Sequence, residues 1–221
     1  MRDEGRTTLH YTLVTDGSSD VVLIPILIRI LMENGIRCAI QPEWADLRRL
    51  PVMGNLKLHD RIRLSLKYYP CDLLFVHRDA EKESPESRRR EILKAVGKSD
   101  SSLSGRPAVC VIPVHMQEAW LLFDEKAIRF AAGDRSGRQP LSLPRMSRVE
   151  KIPDPKAVLH ECLRQANGLQ GRRLRRFHPN QSALRIAEYI DDFSPLRALS
   201  AFDVLENDLK EIIVQQGWVY L

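Results

Sequence analysis

The chain has 221 residues, 43% hydrophobic and 29% charged, with a formal net charge of +5 and a pI near 9.1. That length suits one well-filled α/β domain with an extra subdomain, and the composition excludes a disordered chain. The positive excess is compatible with a polyanionic partner and too modest to identify one. The richest apolar stretch, Val21–Met32, is broken by Pro25 and Arg29 and is too short to span a bilayer, so no membrane role is expected. Met1–Arg6 carries both signs of charge with no signal-type apolar region after it, which points to the cytoplasm. Cys38, Cys71, Cys110 and Cys162 form no CxxC pair and read as reduced, structural thiols.

In chain order, residues 9–15 predict a first strand that runs into an acidic turn, Thr15-Asp16-Gly17-Ser18-Ser19-Asp20. Ser18 or Ser19 is placed to cap a helix from Asp20 to Leu31, apolar almost all round and closed by Asn34-Gly35, with Pro25 marking a bend or a displaced start. Ile36–Ile40 predicts a short second strand, Gln41–Asn55 a loop, and Leu56–Tyr69 a helix with Leu58, Ile62, Leu66 and Tyr69 on one stripe. Asp72–Val76 is a continuous apolar strand that leads into a second acidic turn, His77-Arg78-Asp79-Ala80-Glu81. Pro85–Val96 reads as a charged helix and Pro107–Val114 as a fourth strand. Apolar strands without polar alternation, each followed by a helix, predict a small α/β fold with a mainly parallel four-stranded sheet covered on both faces. Beyond it, Met116–Phe123 and Glu125–Ala132 look helical, Gly133–Pro155 reads as a loop or arm, and Lys156–Ala166, Gln181–Ile190 and Leu196–Val214 are helical. The expected organisation is an α/β domain over 7–132, an arm over 133–155 and a helical extension over 156–221 packed on the same domain.

Ligands of such sheets bind outside the carboxyl ends of the strands, where both acidic turns lie. Carboxylates gathered there repel one another, and a partly desolvated crevice tolerates them when a cation neutralises them, so the pair of turns points to a divalent-metal site. Each turn alone reads first as a capped or charged loop; their coincidence is what counts. Gly17, between Asp16 and Asp20, suits a sharp turn and close backbone approach to a ligand. Glu118 starts an apolar helix at the same edge, where an acid either joins the site or complements the helix dipole. His77, ending a buried strand, reads as a core histidine, and Arg78 either meets a scissile phosphate or neutralises Asp79. Arg172, Arg173, Arg175 and Arg176, with Phe177, form a Gly-bounded loop suited to phosphate contacts and base stacking, or a solvated face. Arg88-Arg89-Arg90 reads as solvated surface, and no GxxxxGK[ST] phosphate loop is present.

The order strand, Asp16-Gly17-Ser18-Ser19-Asp20, helix, then strand with Asp79-Ala80-Glu81 resembles the Toprim domain of topoisomerases, primases, ribosomal-RNA maturases and overcoming-lysogenization-defect nucleases, over residues 9–124. More closely, Leu73–Glu81 together with Gln117-Glu118-Ala119-Trp120-Leu121-Leu122-Phe123-Asp124 is similar to a bacterial Toprim-like family with His-Arg-Asp-Ala-Asp and Glu-Ala-Trp-Leu-Leu signatures. That likeness extends through Asp154-Pro155-Lys156 and Ser194-Pro195-Leu196. The resemblance implies that Asp79 and Glu81 hold Mg2+ or Mn2+, that Asp16 and Asp20 complete or flank the site with Asp16 assisting proton transfer, and that Glu118 is a further ligand or neighbour. It implies a metal-dependent nuclease acting on DNA or RNA, contacted through Arg78 and the arginines at 172, 173, 175 and 176, in a phage-defence setting with an ATPase partner. The alternative is a non-catalytic module that partners an ATPase. Asp16 stands where the family has Glu, and Glu81 where it has Asp, so the two lengths either compensate or mark a degenerate site. Endo- or exonuclease action, and monomer or homodimer, are left open.

Overall fold

The computed structural model describes residues 7–49 and 56–218, so Met1–Arg6 and the end of the expected 41–55 loop lie outside it. Strands β1 (Thr8–Val14), β2 (Ala39–Trp44), β3 (Leu73–His77) and β4 (Ala108–Val111) form a parallel sheet in the order β2-β1-β3-β4. Helices α1 (Leu23–Glu33), α2 (Leu58–Tyr68) and α3 (Pro85–Gly97) connect the strands, with a single turn, α4 (Asp100–Leu103), before β4. After β4 come α5 (Glu125–Ala132), α6 (Met146–Val149), α7 (Pro155–Asn167), α8 (Gly171–Arg175), α9 (Pro179–Ala183) and α10 (Ser200–Gln216). No helix among the described residues is long and apolar enough to cross a membrane.

Strand alternation sorts the core into two layers. Leu9, Tyr11, Leu13, Phe75 and Val111 face the layer that holds Ile26, Leu27 and Ile30 of α1, Leu159 and Leu163 of α7, and Leu205, Leu209 and Ile213 of α10. Val14, Leu74, Val76 and Cys110 face the opposite layer, built on Ile62 and Leu66 of α2 and on Ile92 and Ala95 of α3. The C-terminal helices thus share the core of one sheet face. Ion pairs add to this docking: Arg89 of α3 forks onto Asp208 of α10, and Arg197 joins Glu206 of α10 (2.7 Å) to Glu33 of α1 (2.6 Å).

Several boundaries differ from the sequence expectation, each for a local reason. Ser19–Val22 is a 3-10 turn and α1 starts at Leu23, so Pro25 falls in the first turn, where its missing N–H costs no ladder bond and no bend is needed. Neither serine caps by its side chain. β2 begins at Ala39, later than expected, and runs on through Gln41-Pro42-Glu43, with every second residue exposed. As an edge strand it tolerates proline and polar residues that read as a loop. Gln117–Leu121 is a 3-10 helix, Gln181–Ile190 is split between α9 and a 3-10 turn at Ile186–Tyr189, and Gly171–Arg175 is a helix, not a loop. The segment 133–155 includes α6 and is pinned where Arg129 donates to the Gln139 carbonyl.

Candidate functional site

The chain leaves β1 toward β2 on one side and returns to β3 on the other, so the carboxyl ends of β1 and β3 flank the switch point of the sheet. That is where a doubly wound sheet opens a crevice. The two acidic turns occupy it, lining a cleft of about 280 Å³ with Asp16, Asp20, Arg78, Asp79, Glu81 and Arg88.

Asp20 is buried to 5% exposure in the 3-10 turn after β1. Its carboxylate accepts the Gly17 N–H (2.9 Å), the Ser19 hydroxyl (3.0 Å) and Gln117 Nε2 (3.0 Å). Gln117 is itself 3% exposed and donates its backbone N–H to Asp79 Oδ1 at 2.9 Å, so one glutamine ties the carboxylates of both turns together. His77, the last residue of β3, places Nδ1 3.0 Å from the Val111 carbonyl and Nε2 3.5 Å from Asp79 and 3.8 Å from Asp20. It is therefore more than a core histidine. Burial depresses the His77 pKa despite the neighbouring carboxylates, and the contact to a carbonyl assigns the proton to Nδ1. Burial, reinforced by the charges of Asp20 and Glu118, pushes Asp79 up to about 8. At neutral pH a proton therefore sits on Asp79, beside a neutral imidazole.

The remaining acids have cationic partners. Asp16, 46% exposed, pairs with Arg61 of α2 and with Arg78 Nε at 2.6 Å; Arg78 also reaches Glu91 at 2.7 Å. Arg78 therefore neutralises Asp16, not Asp79, because its side chain turns toward β1. Glu118, 5% exposed, meets Lys156 at 3.2 Å and lies on a second cavity beyond Gln117. The Asp154-Pro155-Lys156 motif is the start of α7: Asp154 accepts the Ala157 N–H, Pro155 occupies the first turn, and Lys156 is delivered onto Glu118. Glu81 and His115 both have positive φ (53° and 64°); the Glu81 N–H donates to the His115 carbonyl and the His115 ring returns to the Glu81 carbonyl, each at 3.0 Å. Two strained non-glycine residues thus close the rim of the cleft. Gly17 has no such conformation, and a Cβ there would meet the Asp20 carboxylate and the Ser19 hydroxyl at an ordinary 3.6 Å.

The structure thus brings Asp20 and Asp79 together, sets Asp16 and Glu81 on the cleft wall and turns Glu118 to the adjoining cavity. Oxygen donors of this kind suit a hard divalent cation. Among the described residues, however, no three acidic, His or Cys side chains gather closely enough to form a ready metal cage: Asp16 is drawn aside by two arginines, and Asp20 already accepts three hydrogen bonds, which leaves it one acceptor site. Arg172, Arg173, Arg175 and Arg176 are exposed on and just after α8, with no ion pair among the described residues. Sequence reasoning missed Gln117, Arg61 and Arg88, whose Nε donates to the Asp79 carbonyl at 3.0 Å although Arg88 reads as free surface. Gln117 adjoins Glu118 in the quoted motif, the one signal that marked it. Comparison with protein-family models, with curated proteins and with solved structures returns no match.

Proposed function

We propose that the chain is a metal-dependent phosphodiesterase of Toprim type that acts on nucleic acid. The observation that carries this reading is the burial of Asp79 beside His77 at the switch point, which, reinforced by the charges of Asp20 and Glu118, lifts Asp79 to about 8. A carboxyl so displaced, in a cleft, is the usual mark of a site built for chemistry or for a cation. Mg2+ or Mn2+ would be held by Asp79 and Asp20 with Glu81 and Asp16 beside them, and would supply Lewis-acid stabilisation of charge on a phosphodiester. Arg78 and Arg88, the cations on the cleft wall, would orient the phosphate. His77 Nε2 lies 3.5 Å from the Asp79 carboxylate, and a closing-up of the pair on a loaded site would give it a proton-transfer role. The arginines of α8, with Arg176, would contact the nucleic-acid backbone.

Purified protein with Mn2+ is expected to nick or degrade labelled DNA or RNA, and Asp79→Ala to abolish the cutting; undiminished cutting would overturn the site assignment. The double arginine pairing of Asp16 favours a second reading, a binding or regulatory module that partners an ATPase in a bacterial defence system. Calorimetric Mn2+ binding without turnover on any nucleic acid, together with co-purification of an ATPase, selects it.

A further inference from the structure

A cavity of about 390 Å³ lies on the far side of Gln117 from the acidic cleft, between the turn after β1, α7 and α9. Val22, Leu121 and Leu184 form one apolar wall; the rest of the lining is polar and includes Gln117, His160, Asn180 and the Glu118–Lys156 ion pair. A pocket of this size, with an apolar wall and convergent hydrogen-bonding groups, is the usual form of a small-ligand site. Two polar atoms of this lining are unused: Gln117 Oε1 and His160 Nε2 are buried and lack hydrogen-bond partners among the described residues. Leaving a buried acceptor unpaired costs about 1–3 kcal/mol, which a ligand with matching N–H groups recovers when a side-chain rotation turns the acceptor into the cavity. Burial and the neighbouring charges of Lys156 and Arg164 depress the pKa of His160, so the ring presents a neutral hydrogen-bonding edge.

The placement supplies the rest. Gln117 is shared by both compartments, since its amide holds Asp20 while its side chain walls the cavity. On the opposite side, α9 supplies Asn180 and Ala183 to the wall, and the chain enters α9 directly from the exposed arginines of α8 and Arg176. Cationic surface, base-sized slot and acidic cleft therefore follow one another. We propose that this cavity receives an unpaired nucleobase next to the phosphate at the acidic cleft, which makes single-stranded nucleic acid the substrate. The proposal rests on nucleic acid being what the cleft acts on. A base in a duplex keeps its edge paired and its faces stacked, so it enters such a slot only when extruded, whereas a single strand presents it freely.

The test is a short single-stranded DNA carrying one 2-aminopurine, titrated with the protein in EDTA, beside the same sequence as a duplex. Single-strand binding is expected to be at least about tenfold tighter than duplex binding and to change the 2-aminopurine fluorescence. Leu184→Trp at the half-exposed rim and Ala183→Trp in the wall fill the slot, and each is expected to cost about tenfold in single-strand affinity with the fluorescence change lost and the melting temperature retained. Equal affinity for duplex and single strand, or undiminished binding by both tryptophan variants while folded, overturns the pocket. Cleavage with Mn2+, measured in parallel, separates the two claims. Single-strand binding lost in the variants, without cutting by the parent protein, upholds the pocket and removes the nuclease. Duplex cutting unchanged in both variants upholds the nuclease and removes the pocket.

Discussion

Replacing Asp79 by Asn in metal-free protein is expected to stabilise the fold, and to do so increasingly as pH rises from about 4 to about 8. The folded-state pKa of Asp79 is raised from 3.8 to about 8, so the native state keeps a proton that the unfolded chain has released. Stability from this proton is fully present below pH 3.8 and is lost as pH rises through about 8. Four pKa units at 1.36 kcal/mol each set a ceiling of about 5 kcal/mol. The side chain is 21% exposed and its surroundings respond as a medium of moderate polarity, so the working figure is about 1–3 kcal/mol. Asn reproduces the protonated carboxyl: its carbonyl oxygen accepts the Gln117 N–H as Asp79 Oδ1 does, without the charge that Asp20 and Glu118 oppose. Urea and thermal unfolding in EDTA between pH 4 and 9 measure the difference. The two proteins should converge near pH 4, and at pH 9 Asp79→Asn should melt higher by about 2–10 °C for a chain of this size. Parallel stability curves, or a variant less stable at pH 9, would refute the claim that the acids are crowded against one another.

The remaining predictions concern other parts of the molecule. Arg197→Ala strands the buried Glu206, whose carboxyl Arg197 holds down to about 2; the loss at pH 7, discounted because Arg197 is 38% exposed, is about 2 kcal/mol. That contribution is present above pH 4.5 and is lost as pH falls toward 2, so the gap between the two proteins in urea should close over that range, and no gap at pH 7 would remove the strut from the account. Changing Arg172, Arg173, Arg175 and Arg176 together to Ala should leave the melting temperature unchanged and flatten the salt dependence of nucleic-acid affinity by about 3 in log–log slope. An unchanged slope would show that these arginines meet no phosphate.

The parts of the fold legible in the sequence are those whose signal is local. β3 is an uninterrupted apolar run because both of its faces are covered, and all five of its residues are buried. β2 is hard to place from sequence because an edge strand is half exposed; Gln41-Pro42-Glu43 follows the rules of a loop while pairing with His10, Tyr11 and Thr12 of β1. The α8 arginines read as a loop because a five-residue helix is too short to display a period.

The site divides along the same line. Asp16, Asp20, Asp79 and Glu81 were legible because a strand that ends in acids is a pattern within one window. Their partners were not, because strand order chooses them: Gln117 lies 97 residues from Asp20, and Arg61 lies 45 from Asp16. With the order β2-β1-β3-β4, the turns after β1 and β3 are neighbours, so Asp20 and Asp79 share a cleft. Glu118 follows β4, one strand farther out, and its short helix turns it to the next cavity, where Lys156 meets it. Five acids at one sheet edge are therefore not one cluster. Two of them face each other across the switch point, and the residue between them and the fifth is a glutamine, which donates to the carboxylates of both turns without adding a further charge to the crowd.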